Sequence, residues 1–227
     1  MADYWWFVIP GMLLGFYAQM KLSSVYGRYS QVGTAARISG AEAAREILDR
    51  AGLHHMPVRE VAGHLTDHYD PIKKELCLSS ENYRSTSLAA VGVAAHEAGH
   101  ALQHKAAYFP LHFRMLMVPA TQFASMAWMG IVVLGMLIPT FFSMAIGLAI
   151  AIFSVITLFQ LVTLPVEFDA SRRAKEQLFR LGLIHADEAP AVSKVLSAAA
   201  MTYVAGLVSS VLQLLQLVML ARGRERD

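Results

Sequence analysis

From Met115 to Leu164 the chain runs for 50 residues without an Asp, Glu, Lys, Arg or His. No soluble fold of ordinary composition contains such a stretch, and a bilayer core of about 30 Å needs about 20 apolar residues of helix to cross it. Fifty residues are too many for one crossing and suit two. Pro139 and Thr140 sit near the middle, where a tight turn belongs, so residues 115–164 are expected to form a transmembrane hairpin with helices over 115–138 and 141–164. A second uncharged run, Val195–Ala221, supplies a further span over residues 200–221. Tyr4–Met20 is a fourth, bounded by Asp3 and Lys21, with Trp5 and Trp6 suited to the headgroup level. A cleaved signal peptide fits this segment less well, because it begins with an acid and lacks a small-residue cleavage site. The whole composition agrees: 56% of residues are hydrophobic and 16% charged, against about 45–50% and about 25% in soluble proteins.

The basic residues orient the spans. Lys and Arg number none in residues 1–20, eleven in 21–114, five in 165–199 and three after 221. A hairpin puts 21–114 and 165–199 on the same side of the membrane, and the positive-inside bias makes that side the cytoplasm. Four spans would leave the tail, 222–227, outside with three arginines, which fits the bias poorly. The formal net charge of +2 gives no electrostatic footprint for nucleic acid. The single cysteine, Cys77, excludes an internal disulfide and a cysteine-rich zinc knuckle.

Residues 21–114 read as a small α+β domain. Ala44, Ile47, Leu48 and Ala51 share one face of a helix over Ala41–Ala51, which Gly52 is placed to end. His64–Asp70 and Glu75–Ser79 are strand-length, and the intervening Asp-Pro-Ile-Lys-Lys has turn chemistry, so a β-hairpin is expected. Ser85, Thr86 or Ser87 can cap a helix that runs through an apolar stretch into His96. Pro165 is expected to start another helix, carrying Glu167 and Asp169.

The helix after the cap holds His96-Glu97-Ala98-Gly99-His100, an H-E-x-x-H pattern. Residues four apart lie on one helix face, so two imidazoles can reach a single zinc, while Glu97 is placed to take a proton from the water that zinc activates. A pair of histidines packed on a buried helix is the competing reading. It leaves two imidazoles and a carboxylate needing buried partners, which a metal supplies. A catalytic zinc needs a third protein ligand. The hairpin returns Glu167 to the membrane face of His96, and Glu167 is the expected ligand. Asp169 lies about 200° around the helix from it. His104 is about 12 Å along the helix from His96, too far to share the ion. A peptide substrate would lie extended beside a strand edge. The polar strand His64–Asp70 therefore makes His68 and Tyr69 candidate oxyanion donors, and Tyr203, at the start of the last span, another.

Four stretches carry a wider likeness: Leu65-Thr66-Asp67-His68-Tyr69-Asp70-Pro71; His96–His100 followed by Ala101-Leu102-Gln103-His104; Leu164-Pro165-Val166-Glu167-Phe168-Asp169-Ala170-Ser171; and Ala199-Ala200-Met201-Thr202-Tyr203-Val204-Ala205. Through them nearly the whole chain resembles the YugP-like membrane zinc metallopeptidases and, more distantly, HtpX and the CAAX prenyl proteases, all gluzincins. The resemblance implies Zn²⁺, hydrolysis of peptides or membrane-protein substrates, and a place in a bacterial cytoplasmic membrane. In the wider group the third ligand opens a Glu-x-x-Ala-Asp pattern whose Asp supports the first zinc histidine. Here Glu167 and Ala170 match and Ser171 stands in place of the Asp, leaving Asp169 or Arg173 to take up part of that support.

The expectation is thus a mainly α, polytopic membrane protein with about four transmembrane helices and a small zincin-like domain. Its metal is held by His96, His100 and Glu167, with Glu97 as general base. The rival functions are a catalytically silent membrane scaffold and another histidine-ligated metal or haem protein. A free Glu beside a ligand His serves hydrolysis better than electron transfer.

Overall fold

A computed structural model of the chain describes residues Trp6–Arg224. The elements in order are α1 (Val8–Tyr29), α2 (Gly40–Arg50), β1 (Val58–Val61), β2 (His68–Asp70), β3 (Glu75–Ser79), α3 (Ser80–Arg84), α4 (Leu88–Lys105), α5 (Phe109–Leu137), a 3₁₀ turn (Pro139–Phe141), α6 (Phe142–Arg180) and α7 (Ala189–Arg224). They sort into two compact units. Of the described residues, one comprises 6–19, 112–164 and 201–224, and the other 20–111 and 165–200.

The first unit is made of apolar helix. Among the described residues, three helices are long and apolar enough to cross a membrane: α5 over Phe109–Gly135, α6 over Met144–Arg180 and α7 over Ala189–Gly223. Their surfaces carry large apolar side chains. Leu116, Phe123 and Met126 are each at least 75% exposed, which is a poor surface for water and a good one for lipid. α1 is not among the three. Tyr4 and Trp5, part of the expected first span, lie outside the described residues. The turn expected at Pro139 and Thr140 is present as the 3₁₀ segment between α5 and α6.

The second unit is a small α+β body built around α4. α2 begins at a capping box: the Ser39 hydroxyl accepts from the Glu42 amide while the Glu42 carboxylate accepts from the Ser39 amide. α2 buries Ala43, Ala44, Ile47 and Leu48, and Gly52 follows its end at φ +72°, where a side chain would be strained. α4 starts at Ser87, whose hydroxyl accepts from the Ala90 amide at 3.2 Å. α2 and α4 meet along small residues, with Ala94 and Ala98 fully buried in the shared core beside Leu76, Leu78 and Leu178.

The sheet departs from the expectation in two respects. The expected hairpin exists, with β2 antiparallel to β3, but β2 begins at His68 rather than His64. Gly63 and Leu65 have φ of +110° and +54°, so the chain turns there instead of extending. A third strand, β1, pairs parallel with β3 and makes the order β1-β3-β2. Its Val-Arg-Glu-Val pattern is only four residues long and half exposed, too short to register as a strand by periodicity. β3, in the centre, is buried at all five positions.

Pro165 also behaves differently from the expectation. It does not start a helix; it lies inside α6, a single helix of 39 residues. Proline removes one backbone donor, and here the helix continues past it. One residue on, the Val166 carbonyl also accepts from a side chain, Gln103 Nε2 at 2.7 Å. α7 is likewise one helix of 36 residues, where a segment ending at 199 and a separate span were expected.

Because residues 20–111 and 165–200 form one body, exposed sites in both segments must share one side of a membrane. Ile72→Cys and Lys175→Cys, placed singly in a chain whose native Cys77 is buried, are both expected to react with an impermeant thiol reagent from the same side only. Reaction from opposite sides would break the second unit apart.

Candidate metal centre and active site

The site begins with the backbone of Gly99. A Cβ at this position would lie 2.6 Å from the Ala170 carbonyl oxygen, so α4 and α6 touch main chain to main chain at this point. Glycine is the only residue that allows it. Glycine costs a helix interior about 1 kcal/mol relative to alanine; here that cost is offset by what the contact brings together. His96 and His100 flank Gly99 on α4, and Glu167 lies three residues before Ala170 on α6.

The two imidazole rings stand 4.8 Å apart and nearly perpendicular. Glu167 Oε2 lies 3.1 Å from His96 Nε2 and 3.7 Å from His100 Nε2. One ligand atom from each of the three residues falls within 4.8 Å of the others, and no other such group of His, Cys, Asp and Glu occurs among the described residues. Glu167 is 1% exposed. A buried carboxylate facing two imidazoles is a strong attractor for a cation, and two nitrogen donors with one carboxylate suit zinc. The residues therefore fit the metal.

The other ring nitrogens are held as well. His96 Nδ1 and Ser171 Oγ are 3.1 Å apart. His100 Nδ1 lies 3.0 Å from Gln103 Oε1. Gln103 is fully buried, and its amide is fixed by what it donates to: the Val166 carbonyl at 2.7 Å and Asp169 Oδ2 at 2.9 Å, both acceptors. Its oxygen must then face His100, so the His100 Nδ1–H donates to Gln103, and Nε2 is the ring nitrogen that faces Glu167 and would bind a metal. Burial, the largest influence, acts to lower the His100 pKa; hydrogen bonding and charge from Glu167, with help from Glu97 and Gln103, outweigh it and leave the pKa raised.

Asp169 and Arg173 thus serve His100 indirectly. Asp169 Oδ2 accepts from Arg173 Nε at 2.6 Å as well as from Gln103, and Arg172 binds its other oxygen. Ser171, standing where the resemblance calls for an acid, makes its own contact with His96. Glu97 is half-buried and has no hydrogen bond or ion pair among the described residues. His104 is engaged elsewhere, with its Nδ1 2.8 Å from the Tyr69 hydroxyl. His68 is exposed at the start of β2, and its Nδ1 lies 2.8 Å from its own loop's Thr66 carbonyl oxygen. Tyr203 lies half-buried in α7, in the other unit.

The family model described as "Putative neutral zinc metallopeptidase" matches residues 4–222. The chain belongs to this family. It is 44% identical over 224 residues to a protein of Bacillus subtilis (strain 168) named "Putative membrane protease YugP", a match covering 96% of this chain and 97% of that one. No solved structure matches. For this member of the family, sequence reasoning missed Gln103 as a site residue. The available signal was its polarity: it lies three residues from His100 on a helix buried almost throughout.

Gln103→Leu keeps the volume and removes the acceptor for His100, while leaving Asp169 and the Val166 carbonyl short of a donor. Zinc affinity, read by competition with a chelator, is expected to fall about 10–100-fold, with a stability loss of about 1–3 kcal/mol. Gly99→Ala is expected to force α4 from α6 and to lower zinc affinity while far-UV circular dichroism keeps its helical signal. Wild-type affinity in both variants would detach these contacts from metal binding.

Proposed function

We propose that this protein is a membrane-embedded zinc metalloendopeptidase of the gluzincin type, related distantly to HtpX and the CAAX prenyl proteases. The observation that carries the reading is the meeting of His96, His100 and Glu167 with an unengaged Glu97 on the same helix. Bound zinc supplies Lewis acidity, polarising a peptide carbonyl and acidifying water.

The chain's own residues do the rest. His96, His100 and Glu167 hold the metal, with Ser171 and Gln103 setting the two rings and Asp169 and Arg173 backing Gln103. Glu97 takes the proton from the attacking water as its oxygen bonds to the scissile carbon. The Glu97 carboxyl then returns that proton to the departing amide nitrogen as the C–N bond breaks. His68 and Tyr203 are proposed oxyanion donors. Tyr69, the third candidate from the sequence, is not proposed for this role, because its hydroxyl is held at His104, two helical turns past Glu97. The substrate is a peptide or membrane protein. For topology we propose four crossings, with α1 as the first, residues 21–114 and 165–199 in the cytoplasm of a bacterial cell, and spans at 115–164 and 200–221. The support is the basic-residue bias and the three apolar helices.

Zinc content and peptide cleavage of the wild type and Glu97→Gln test the reading together. About one zinc per chain is expected in both proteins, with cleavage falling by about 10²–10⁴-fold in the variant. Equal cleavage, or a wild type that takes up no metal, would sink it.

A further inference from the structure

Past the metal-site histidines on α4, a cavity of about 240 Å³ opens among Met56, Tyr69, Lys74, Ala101, His104 and Lys105. Met56 and Ala101 give it an apolar floor. No Asp or Glu lines it. Lys74 and Lys105 are its two cationic lining residues. Neither Lys74 nor Lys105 forms an ion pair among the described residues, although the nearby Arg45, Arg59 and Lys73 each engage a carboxylate. Lys105 donates one of its N–H groups to the Ala51 carbonyl, which leaves its charge uncompensated. Lys74 has φ +52°, a left-handed conformation that favours glycine or asparagine, so the turn carries a lysine where its backbone would be better served by another residue. Burial, with a smaller push from Asp70, raises the Tyr69 phenol to about 12, so it stays neutral beside His104 and adds no negative charge.

The cavity's place on α4 connects it to the proposed chemistry. His104 is seven residues beyond Glu97, which is two helical turns. The two side chains therefore leave the helix within about 20° of one another and about 10 Å apart along its axis. An extended peptide advances about 3.3 Å per residue. A group about three residues from a scissile bond poised at Glu97 reaches the cavity.

We propose that this cavity is a substrate subsite that recognises a carboxylate of the peptide about three residues from the cleaved bond, with Lys74 and Lys105 as its charge-reading residues. The proposal rests on the peptidase reading and adds a specificity to it. The carboxylate comes from an acidic side chain or from the peptide's C-terminus; the chemistry recognised is the same, and the two are separable by experiment.

The test uses the full-length, zinc-loaded Glu97→Gln protein and fluorescence anisotropy with labelled peptides. In one set, C-terminally amidated peptides carry a single Glu or Gln scanned along the sequence. In the other, Gln peptides of graded length end in a free carboxylate or an amide. One placement of the carboxylate is expected to bind about three- to tenfold tighter than its neutral counterpart, as befits partly exposed charge pairs. Lys74→Gln and Lys105→Gln should each shrink that preference toward one, while Lys74→Arg keeps it and zinc content stays unchanged. Lys74 makes no side-chain hydrogen bond among the described residues, so Lys74→Gln decides the matter if the Lys105 variant does not fold. Equal binding of charged and neutral peptides at every position, or a preference that survives Lys74→Gln, overturns the subsite. Cleavage of a carboxylate-free, amidated peptide by the wild-type protein is measured in parallel. Cleavage without a binding preference removes the subsite alone; a preference without cleavage of any peptide removes the peptidase reading and leaves a carboxylate-binding site.

Discussion

Main-chain contact between α4 and α6 at Gly99 is the constraint on which the candidate site depends. Without it, His96 and His100 would be two imidazoles on an apolar helix and Glu167 a carboxylate with no reason to be buried. The contact leaves no room for a side chain at Gly99, and on either side of it the side chains must interlock. The result is a carboxylate at 1% exposure facing two ring nitrogens. That is an unfavourable arrangement for a metal-free core and a favourable one for holding a divalent cation.

Around those three residues the protein builds a second layer from neutral groups. Ser171 meets one histidine and Gln103 the other. The formal charge sits one step further out, on Asp169, where two arginines balance it. An amide with acceptors at both of its donors has only one orientation available, so it fixes the tautomer of His100 as firmly as a carboxylate would and adds no negative charge next to Glu167. The scaffold beneath is ordinary and well specified. A hydroxyl cap starts α4 at Ser87, a capping box starts α2, and alanines allow the two helices to approach closely while β3 covers the core from another side.

The β-hairpin, a cap among Ser85, Thr86 and Ser87, the α2 helix and the three long apolar helices were legible in the sequence, because each rests on a local pattern: turn residues, a hydroxyl before an apolar run, a 3.6-residue period, or a lack of charge. The parallel strand β1 was not, since a four-residue edge has too little periodicity to be distinguished from loop. Nor was the continuity of α6 through Pro165. Proline is read locally as a helix start or stop, and whether a helix survives it depends on its surroundings.

The sequence by itself determined that this chain carries long apolar helices, that His96, Glu97 and His100 share a helix, and that Glu167 and Asp169 both follow the second apolar run. Those facts follow from spacing along one chain. The sequence also favoured Glu167 over Asp169 as the ligand; only the tertiary structure decided where each carboxylate lies, because that turns on the rotation of α6 against α4, which the Gly99–Ala170 approach sets. It turned Glu167 toward the histidines and Asp169 toward Gln103 and the arginines. It also gave Gln103 its place, since a side chain that links His100 to Val166 and Asp169, 63 and 66 positions beyond Gln103 itself, leaves no trace in any local pattern.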